Sequence, residues 1–493
     1  MSQAPRHLIF RMGPMGQPIW WWLGAAGVLV SAAAVRLLLF LYFPVFLTAD
    51  SPDYIGAAEH IATSFDFTNE RLRDWRQPGY PMFLASVSLV AGWSSSSVVA
   101  AQKLGGLLCV VLGIVAGSWM GWRVGSLALG AFLAWHPVYL LFEHMLMTEA
   151  LFIQLTWIFT FLAIIAARRN SGALDGSLLG TALACCLLTR APALFFCAPV
   201  VLGLVVSKFF RTRQIADRQS SRPVLRMILG LAIALLLVLG PWSYRNYRLH
   251  GTWSPITNNV QRTVLAYMVV HDVVEPERNQ LDSADSGTED PRAVAGKMVR
   301  GLGRGADAER RASEMVREQI EERPMVYLAE AAFAARAFLG LPTKRGVAGG
   351  RDISYWFGRY VRNVRVLHKH NRNNLRATAS FQYAAIGRNG RVLKKWNRAG
   401  VTYLNIGRMI LTTAFLFGVA IYPLAAPRPW KREQRLVLLF IASYAVVLLG
   451  HAALLAGKQR YALPWDGVQL FVVVGVLSQL HHRWLRKERP DDS

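Results

Sequence analysis

Long apolar runs that carry almost no charge constrain this chain more than any other feature of its sequence. A helix needs about 20 mostly apolar residues to cross the hydrocarbon core of a bilayer. Ten runs are candidates for such spans: residues 20–46, 98–119, 124–140, 146–167, 176–190, 191–207, 224–243, 403–423, 435–456 and 462–480. With a hydrophobic content of 53% over 493 residues, these runs predict an all-α polytopic membrane protein with about 10 or 11 transmembrane helices.

Lysine and arginine residues in short loops indicate orientation, because cytoplasmic loops carry an excess of them. With the N-terminus inside, nineteen of these residues fall on the cytoplasmic side and seven in the opposite short connections. This bias predicts a protein of the cytoplasmic (inner) membrane with both termini in the cytoplasm. Residues 81–93 form a further, shorter apolar patch. We expect a helix lying at the interface there, since a span would reverse every later orientation.

The cysteines and the net charge argue against several other classes. All four cysteines fall inside candidate spans, so neither a disulfide framework nor a zinc quartet is expected. A net charge of +25 would suggest nucleic acid in a soluble protein, but here most of it reflects orientation and one external segment. No nucleic-acid binding is expected. The first apolar run is too long for a signal peptide, so we expect it to remain as a span.

The external loop of residues 48–80 follows the first candidate span directly and places carboxylates at the membrane surface. Asp50, Tyr54 and Ala58 recur every four residues, which predicts a helix lying along the membrane from Pro52 onward. Asp50 stands at the N-terminal edge of this helix. It is therefore either an N-cap that serves the helix alone or a functional carboxylate.

Other ionisable groups are predicted near the same external face. Glu149 precedes an unbroken apolar run, so we expect it to be partly buried at the membrane surface, where acids without a partner are rare. Glu143 and His144 form a weaker signal, because such a pair in a loop is more often solvated than bound to a metal. Arg36 lies deep in the first span, and we expect it either to snorkel or to pair within the bundle.

Arg190, Arg245 and Arg460 all lie near aromatic residues at the predicted external face. Guanidinium groups match phosphate oxygens, so these residues, with Arg76 from the external loop, predict a shared site for an anionic ligand. The alternative is that each arginine snorkels to lipid headgroups. The residues expected to bind substrate are Tyr54, Arg76, Tyr80, Lys103, Arg190, Arg245, Arg460 and Tyr461.

The sequence divides into an N-terminal transmembrane module, a long external segment and a C-terminal group of helices with a tail. The predicted boundaries are residues 1–246, 247–402 and 403–493. Residues 312–340 predict two helices broken at Pro324, the second apolar enough to rest on the membrane. Residues 343–398 hold fourteen lysines and arginines and one acid. This predicts either a surface held on anionic lipid or a site for an anionic acceptor.

Several of these stretches together resemble the membrane-embedded GT-C glycosyltransferases, in particular the bacterial branch that groups with lipid A aminoarabinose transferases and protein mannosyltransferases. The matching stretches are Asp50-x-x-x-Tyr54-x-x-x-Ala58, Arg76-x-Pro78-Gly79-Tyr80-Pro81, Thr148-Glu149-Ala150-Leu151-Phe152, Thr189-Arg190-Ala191-Pro192, Pro241-Trp242-x-x-Arg245-Asn246-Tyr247 with Gly251 and Pro255-Ile256-Thr257 after it, and Arg460-Tyr461-x-x-Pro464. No single stretch is specific. Six in the expected order and on the expected side are fairly specific, and they cover most of the chain outside residues 270–400.

The resemblance implies an inverting transfer of a sugar from a polyprenyl-phosphate carrier to a glycan, lipid or protein acceptor outside the membrane. It implies Asp50 as the general base for the acceptor hydroxyl and Glu149 as a second carboxylate that orients acceptor or donor. The residues it implies for the departing lipid phosphate are Arg76, Arg190, Arg245 and Arg460. A divalent metal shared by Asp50, Glu149 and His144 stays open, since their spacing argues neither way.

The chain also departs from the family pattern, and two other function classes stay open. After Asn258-Asn259 the expected glycines are replaced by Val260-Gln261-Arg262, which leaves the donor sugar open. A transporter or flippase of polyprenyl-linked glycans would need paired ionisable groups in mid-bilayer, and the sequence shows only Arg36 clearly buried. A non-catalytic assembly factor would hold anionic lipid on residues 343–398. This function would not explain where Asp50 and Glu149 are placed.

Overall fold

The computed structural model describes residues 17–42, 45, 50–65, 67, 77–169, 172–214, 222–251, 253–254, 262, 264–266, 268, 297–299, 301–303, 306–339, 406–425, 432–454 and 465–487. Within these residues the protein is built from α-helices and contains no β-strand. The all-α class predicted from the apolar runs is therefore confirmed.

Ten helices follow one another closely in the first half of the described chain. They are α1 (Ile19–Tyr42), α2 (Ser51–Ser64), α3 (Gly79–Ala91), α4 (Ser95–Trp119), α5 (Arg123–Trp135), α6 (Pro137–Phe142), α7 (Thr148–Arg168), α8 (Ala173–Thr189), α9 (Ala193–Gln214) and α10 (Arg222–His250). The later described helices are α11 (Ala306–Glu322), α12 (Pro324–Phe338), α13 (Arg408–Ala425), α14 (Arg432–Ala453) and α15 (Asp466–Lys487). The division of the chain at residues 246 and 402 stays a prediction.

Six of the described helices are long and apolar enough to cross a membrane, namely α1, α4, α7, α9, α10 and α14. They coincide with six of the ten predicted spans. The other four predicted spans contain α5, α8, α13 and α15, whose apolar parts are shorter. Residues 81–93 lie largely in α3, and the interfacial position of that helix stays a prediction. The protein is a multi-pass α-helical membrane protein.

The predicted span at residues 124–140 is wrong in its extent, because the helix is broken at His136. Helix α5 ends at Trp135 and α6 begins at Pro137. Proline lacks a backbone N–H and disfavours the helical conformation of the residue before it. His136 accordingly has φ −59° and ψ 112°. Its ring nitrogen Nδ1 accepts a hydrogen bond from the backbone N–H of Tyr139 at 3.2 Å, which caps α6.

Helices α8 and α10 pack so closely that their contact requires glycine. A Cβ atom on Gly176 would lie 1.9 Å from the carbonyl oxygen of Met227, and one on Gly230 would lie 2.2 Å from that of Ala173. Small residues that let two backbones approach are typical of helix contacts in membranes. The contact holds α8, which Arg190 directly follows, against α10, which carries Arg245.

The helix break predicted at Pro324 is confirmed, since α12 begins at this residue. The C-terminal turn of α12 is held by the bundle. The carbonyl oxygen of Phe338 accepts a hydrogen bond from Arg408 Nη2 at 2.8 Å. That of Leu339 accepts one from Thr412 Oγ1 at 2.8 Å. Carbonyls in a last turn have no partner within their own helix, so α13 supplies the partners that fix the end of α12.

We predict that Gly176→Ala destabilises the protein, because the added methyl would meet a backbone carbonyl that cannot move away. The expected loss is about 1–3 kcal/mol in the free energy of unfolding, typical of overpacking. Gly27 in α1 has nothing within 4 Å of its Cβ position, so Gly27→Ala is a matched control. Thermal unfolding in detergent should show a lower midpoint for Gly176→Ala alone. Equal midpoints for both variants would contradict the close contact.

Candidate active site

Asp50 lies at the start of α2 and is half-buried. It occupies the N-cap position, but its side chain makes no capping hydrogen bond, so capping does not account for this carboxylate. The next residue, Ser51, is fully buried, and its hydroxyl donates to the carbonyl oxygen of Leu146 at 2.9 Å. This bond joins the start of α2 to the loop that leads into α7. Asp50 is therefore next to the segment that carries Glu149.

Tyr54 and Tyr80 connect α2 to α3. Their rings meet edge to face with centroids 5.2 Å apart, and the hydroxyl of Tyr80 donates to Gln102 Oε1 at 2.9 Å. Gln102 Nε2 in turn donates to the carbonyl oxygens of Glu143 at 3.0 Å and Met145 at 2.9 Å. One buried glutamine thus holds the loop between α6 and α7 against α4. The only sequence signal for this structural role is that Gln102 is a polar residue inside an apolar run, and the sequence reasoning missed it.

Glu149 and Arg190, both predicted site residues, form a buried ion pair. Glu149 is 2% exposed, and its Oε1 lies 2.9 Å from Arg190 Nη1. Its Oε2 accepts a hydrogen bond from Thr148 Oγ1 at 3.2 Å. The guanidinium also lies over the ring of Phe152, 5.7 Å from its centroid. Because Glu149 is in the first turn of α7, the helix dipole also stabilises its negative charge.

Arg36 pairs within the bundle. Its Nη2 lies 2.7 Å from Glu143 Oε1, and its guanidinium also donates to the carbonyl oxygens of Ala134 at 3.1 Å and Leu133 at 3.3 Å. Glu143 is only 4% exposed, so it is not the solvated loop residue that its position favoured. Lys103, on α4, is buried near this pair.

The approach of Glu143 to α4 depends on glycine. A Cβ atom on Gly106 would lie 1.8 Å from Glu143 Oε1, and one on Gly105 would lie 2.4 Å from Gln154 Oε1. Gln154 Nε2 donates to the backbone carbonyl of Gln102 at 2.6 Å. The two adjacent glycines therefore let two polar side chains reach the surface of α4.

A second charged network, which the sequence reasoning missed, ties α13 and α15 to the helix break at His136. Arg408 and Asp466 are both completely buried, and Arg408 Nε lies 3.0 Å from Asp466 Oδ1. Asp466 Oδ2 lies 3.7 Å from His136 Nε2, and the backbone N–H of Gly467 donates to the hydroxyl of Tyr139 at 3.2 Å. Arg408 and Asp466 each place a charge inside a predicted span, as Arg36 does. A search of the apolar runs for charged residues would have identified both.

Arg245 is half-buried near the end of α10. Its Nε donates to the carbonyl oxygen of Phe67 at 2.9 Å, which links α10 to the loop of residues 48–80. Its Nη1 donates to Asn246 Oδ1 at 3.0 Å, and its guanidinium lies 4.5 Å from the ring centroid of Trp242. The structure thus connects Arg245 to the loop of residues 48–80, which contains Asp50.

Some predicted site residues lie outside the described part of the chain. They are Arg76, Arg460, Tyr461 and the basic segment of residues 343–398. His144 is described and buried. Among the described residues, no group of three or more histidine, cysteine, aspartate or glutamate side chains is placed to hold a metal ion.

Comparison with solved structures finds three matching chains, two of which are structures of ArnT. No protein-family model and no curated protein matches the chain. ArnT from Cupriavidus metallidurans bound to undecaprenyl phosphate is 14% identical, with a TM-score of 0.37 over 91% of this chain and 77% of that chain. The apo state of ArnT is 14% identical, with a TM-score of 0.36 over 90% of this chain and 78% of that chain.

We predict that Glu149 and Arg190 are coupled in stability. Glu149→Gln and Arg190→Gln should each lower the free energy of unfolding by about 3–5 kcal/mol, because each leaves a buried charge without its partner. The double variant should lose much less than the sum of the two. Unfolding in detergent measures this cycle.

The exposed pair of Arg317 and Glu321, 2.7 Å apart, supplies the control. The same glutamine replacements there should leave the midpoint unchanged, since exposed pairs contribute little. Additive losses for Glu149 and Arg190 would contradict the buried pair.

Proposed function

We propose that this protein is a membrane-embedded inverting glycosyltransferase that moves a sugar from a polyprenyl-phosphate carrier to an acceptor on the external side of the membrane. The observation that carries the proposal is the position of Asp50. This carboxylate is half-buried, does not cap its helix, and is next to the segment that holds the buried Glu149–Arg190 pair. We assign to this carboxylate the abstraction of a proton from the acceptor.

The chemistry requires one base and several positive groups. In the proposed reaction Asp50 takes the proton of the acceptor hydroxyl, whose oxygen forms a new bond to the anomeric carbon. The bond between that carbon and the phosphate oxygen breaks, and the lipid phosphate keeps the electron pair. Positive groups stabilise the charge that develops on this phosphate. We assign this role to Arg190 and Arg245, together with Arg76 and Arg460.

The remaining predicted residues complete the site. We assign Tyr54 and Tyr80, whose rings meet edge to face, to substrate binding together with Lys103 and Tyr461. We assign to Glu149 the role of a second carboxylate that orients the acceptor or the donor. The long apolar tail of a polyprenyl donor explains why such an enzyme would be a bundle of apolar helices. We further propose that the site faces the exterior and that both termini are cytoplasmic.

One observation favours a second candidate, a transporter or flippase of polyprenyl-linked glycans. Such proteins place paired ionisable groups and broken helices inside the bilayer. The buried Arg36–Glu143 pair and the break at His136 have this character. The candidates differ in chemistry, because a transporter leaves the glycosidic bond intact.

We predict that Asp50→Asn abolishes sugar transfer while the protein still inserts and folds. The measurement is transfer from a polyprenyl-phosphate sugar by purified protein, with the product identified by mass spectrometry. A loss of about 100-fold or more is expected for removal of a general base.

Asp53→Asn is the matched control, because Asp53 is an exposed acid in the first turn of the same helix. It should retain activity. A fully active Asp50→Asn enzyme would remove Asp50 from the mechanism. Movement of the intact lipid-linked sugar across vesicles, without any transfer, would favour the transporter.

A further inference from the structure

Three buried ionisable groups lie together where α1, α4 and α5 meet. Arg36 and Glu143 form an ion pair, with Nη2 and Oε1 2.7 Å apart. Lys103 is 6% exposed, and its Nζ has no hydrogen-bond partner among the described residues. The charges of Glu143 and Arg36 both act on Lys103. The cluster therefore holds two cationic side chains and one carboxylate.

This cluster lacks one negative charge. Glu143 is already paired with Arg36, and a buried ammonium without a partner is costly. A small cavity lies against the pair, and its other polar lining side chains, Cys109, Tyr139 and Gln154, are uncharged. Lys103 does not line this cavity, so the cavity supplies no counter-charge for its ammonium group. A ligand with a negative charge can neutralise Lys103.

The place of Lys103 along α4 connects the cluster to the candidate active site. Lys103 directly follows Gln102, whose Oε1 accepts the hydrogen bond of Tyr80. Gly106 follows Lys103 by one helical turn, and the carboxylate of Glu143 lies against Gly106. Lys103 therefore lies along α4 between the residue that contacts Tyr80 and the residue that contacts Glu143.

We propose that Lys103, with the Arg36–Glu143 pair behind it, binds one oxyanion of the donor, a group with a single uncompensated negative charge. This inference rests on the proposed function and adds Lys103, on α4, to the cationic groups that contact the donor. The oxyanion is either the lipid phosphate or a carboxylate on the sugar. Both match an ammonium group, so the experiment has one arm for each source.

The test measures binding to purified protein and does not require transfer. In the first arm the probes are a short-chain polyprenyl phosphate and the polyprenol of equal length. In the second they are glucuronate and glucose. The native protein should prefer the charged probe of one arm on the order of 10- to 100-fold, the size expected of a buried charge contact. The arm in which the preference is seen identifies the oxyanion as the lipid phosphate or as a sugar carboxylate.

Two variants should change this preference in opposite directions. Lys103→Met should remove it, because the ammonium is lost. Glu143→Gln should strengthen it several-fold, because the carboxylate that competes for the two cations is lost while a side chain of the same shape remains. Lys208→Met is the matched control, since Lys208 is a lysine on α9 that donates to the carbonyl of Arg169. It should leave the preference unchanged.

The proposal is overturned if the native protein shows no preference in either arm, or if Lys103→Met keeps it. It is also overturned if both variants weaken binding, which a structural role of the cluster would produce. Should Lys103→Met fail to fold, Glu143→Gln decides alone: tighter anion binding supports the site, and unchanged or weaker binding refutes it. Binding without transfer would contradict the proposed function and leave this site in place.

Discussion

The pairing of buried arginines with carboxylates is the constraint on which the rest of the structure depends. Taking a charge out of water costs several kcal/mol, and only a partner with good geometry offsets that cost. Such pairs in the described bundle include Arg36 with Glu143, Glu149 with Arg190, and Arg408 with Asp466. Each pair joins different helices. Moving any of these helices would leave a charge buried without a partner.

The pairs also explain why the loops at this end of the bundle have defined positions. Glu143 and Glu149 flank the short loop between α6 and α7, and Gln102 holds the same loop by two backbone carbonyls. Arg408 reaches the last turn of α12 and so fixes the end of that helix against the bundle. The start of α2 is joined to the loop through Ser51. The same bond fixes the backbone of the neighbouring Asp50 relative to this loop.

Local patterns predicted much of this arrangement. The spacing of Asp50, Tyr54 and Ala58 predicted α2, Pro324 predicted a helix break, and the apolar run after Glu149 predicted its burial. These inferences hold because each depends on neighbouring residues alone. The same reasoning failed at His136, where one proline outweighed an apolar run that continues past it.

The partners of the charged groups could not be predicted in the same way. Arg36 and Glu143 are separated by 107 residues, and Arg408 and Asp466 by 58. An apolar run shows that a charge inside it needs a partner, but it does not show which one. That choice depends on how the helices cross, and the crossings depend on close contacts such as the one at Gly176. Nothing in the sequence distinguishes that glycine from the glycines of the other apolar runs.

A structure of the purified protein with a bound polyprenyl phosphate, determined by cryo-electron microscopy in lipid nanodiscs, tests the central claim most directly. The account predicts density for the phosphate inside the bundle, within hydrogen-bonding distance of Arg190 or Lys103, with the carboxylate of Asp50 facing the same space. Phosphate density on the outer surface of the helices, or an Asp50 side chain turned into bulk water away from the Glu149–Arg190 pair, would contradict it.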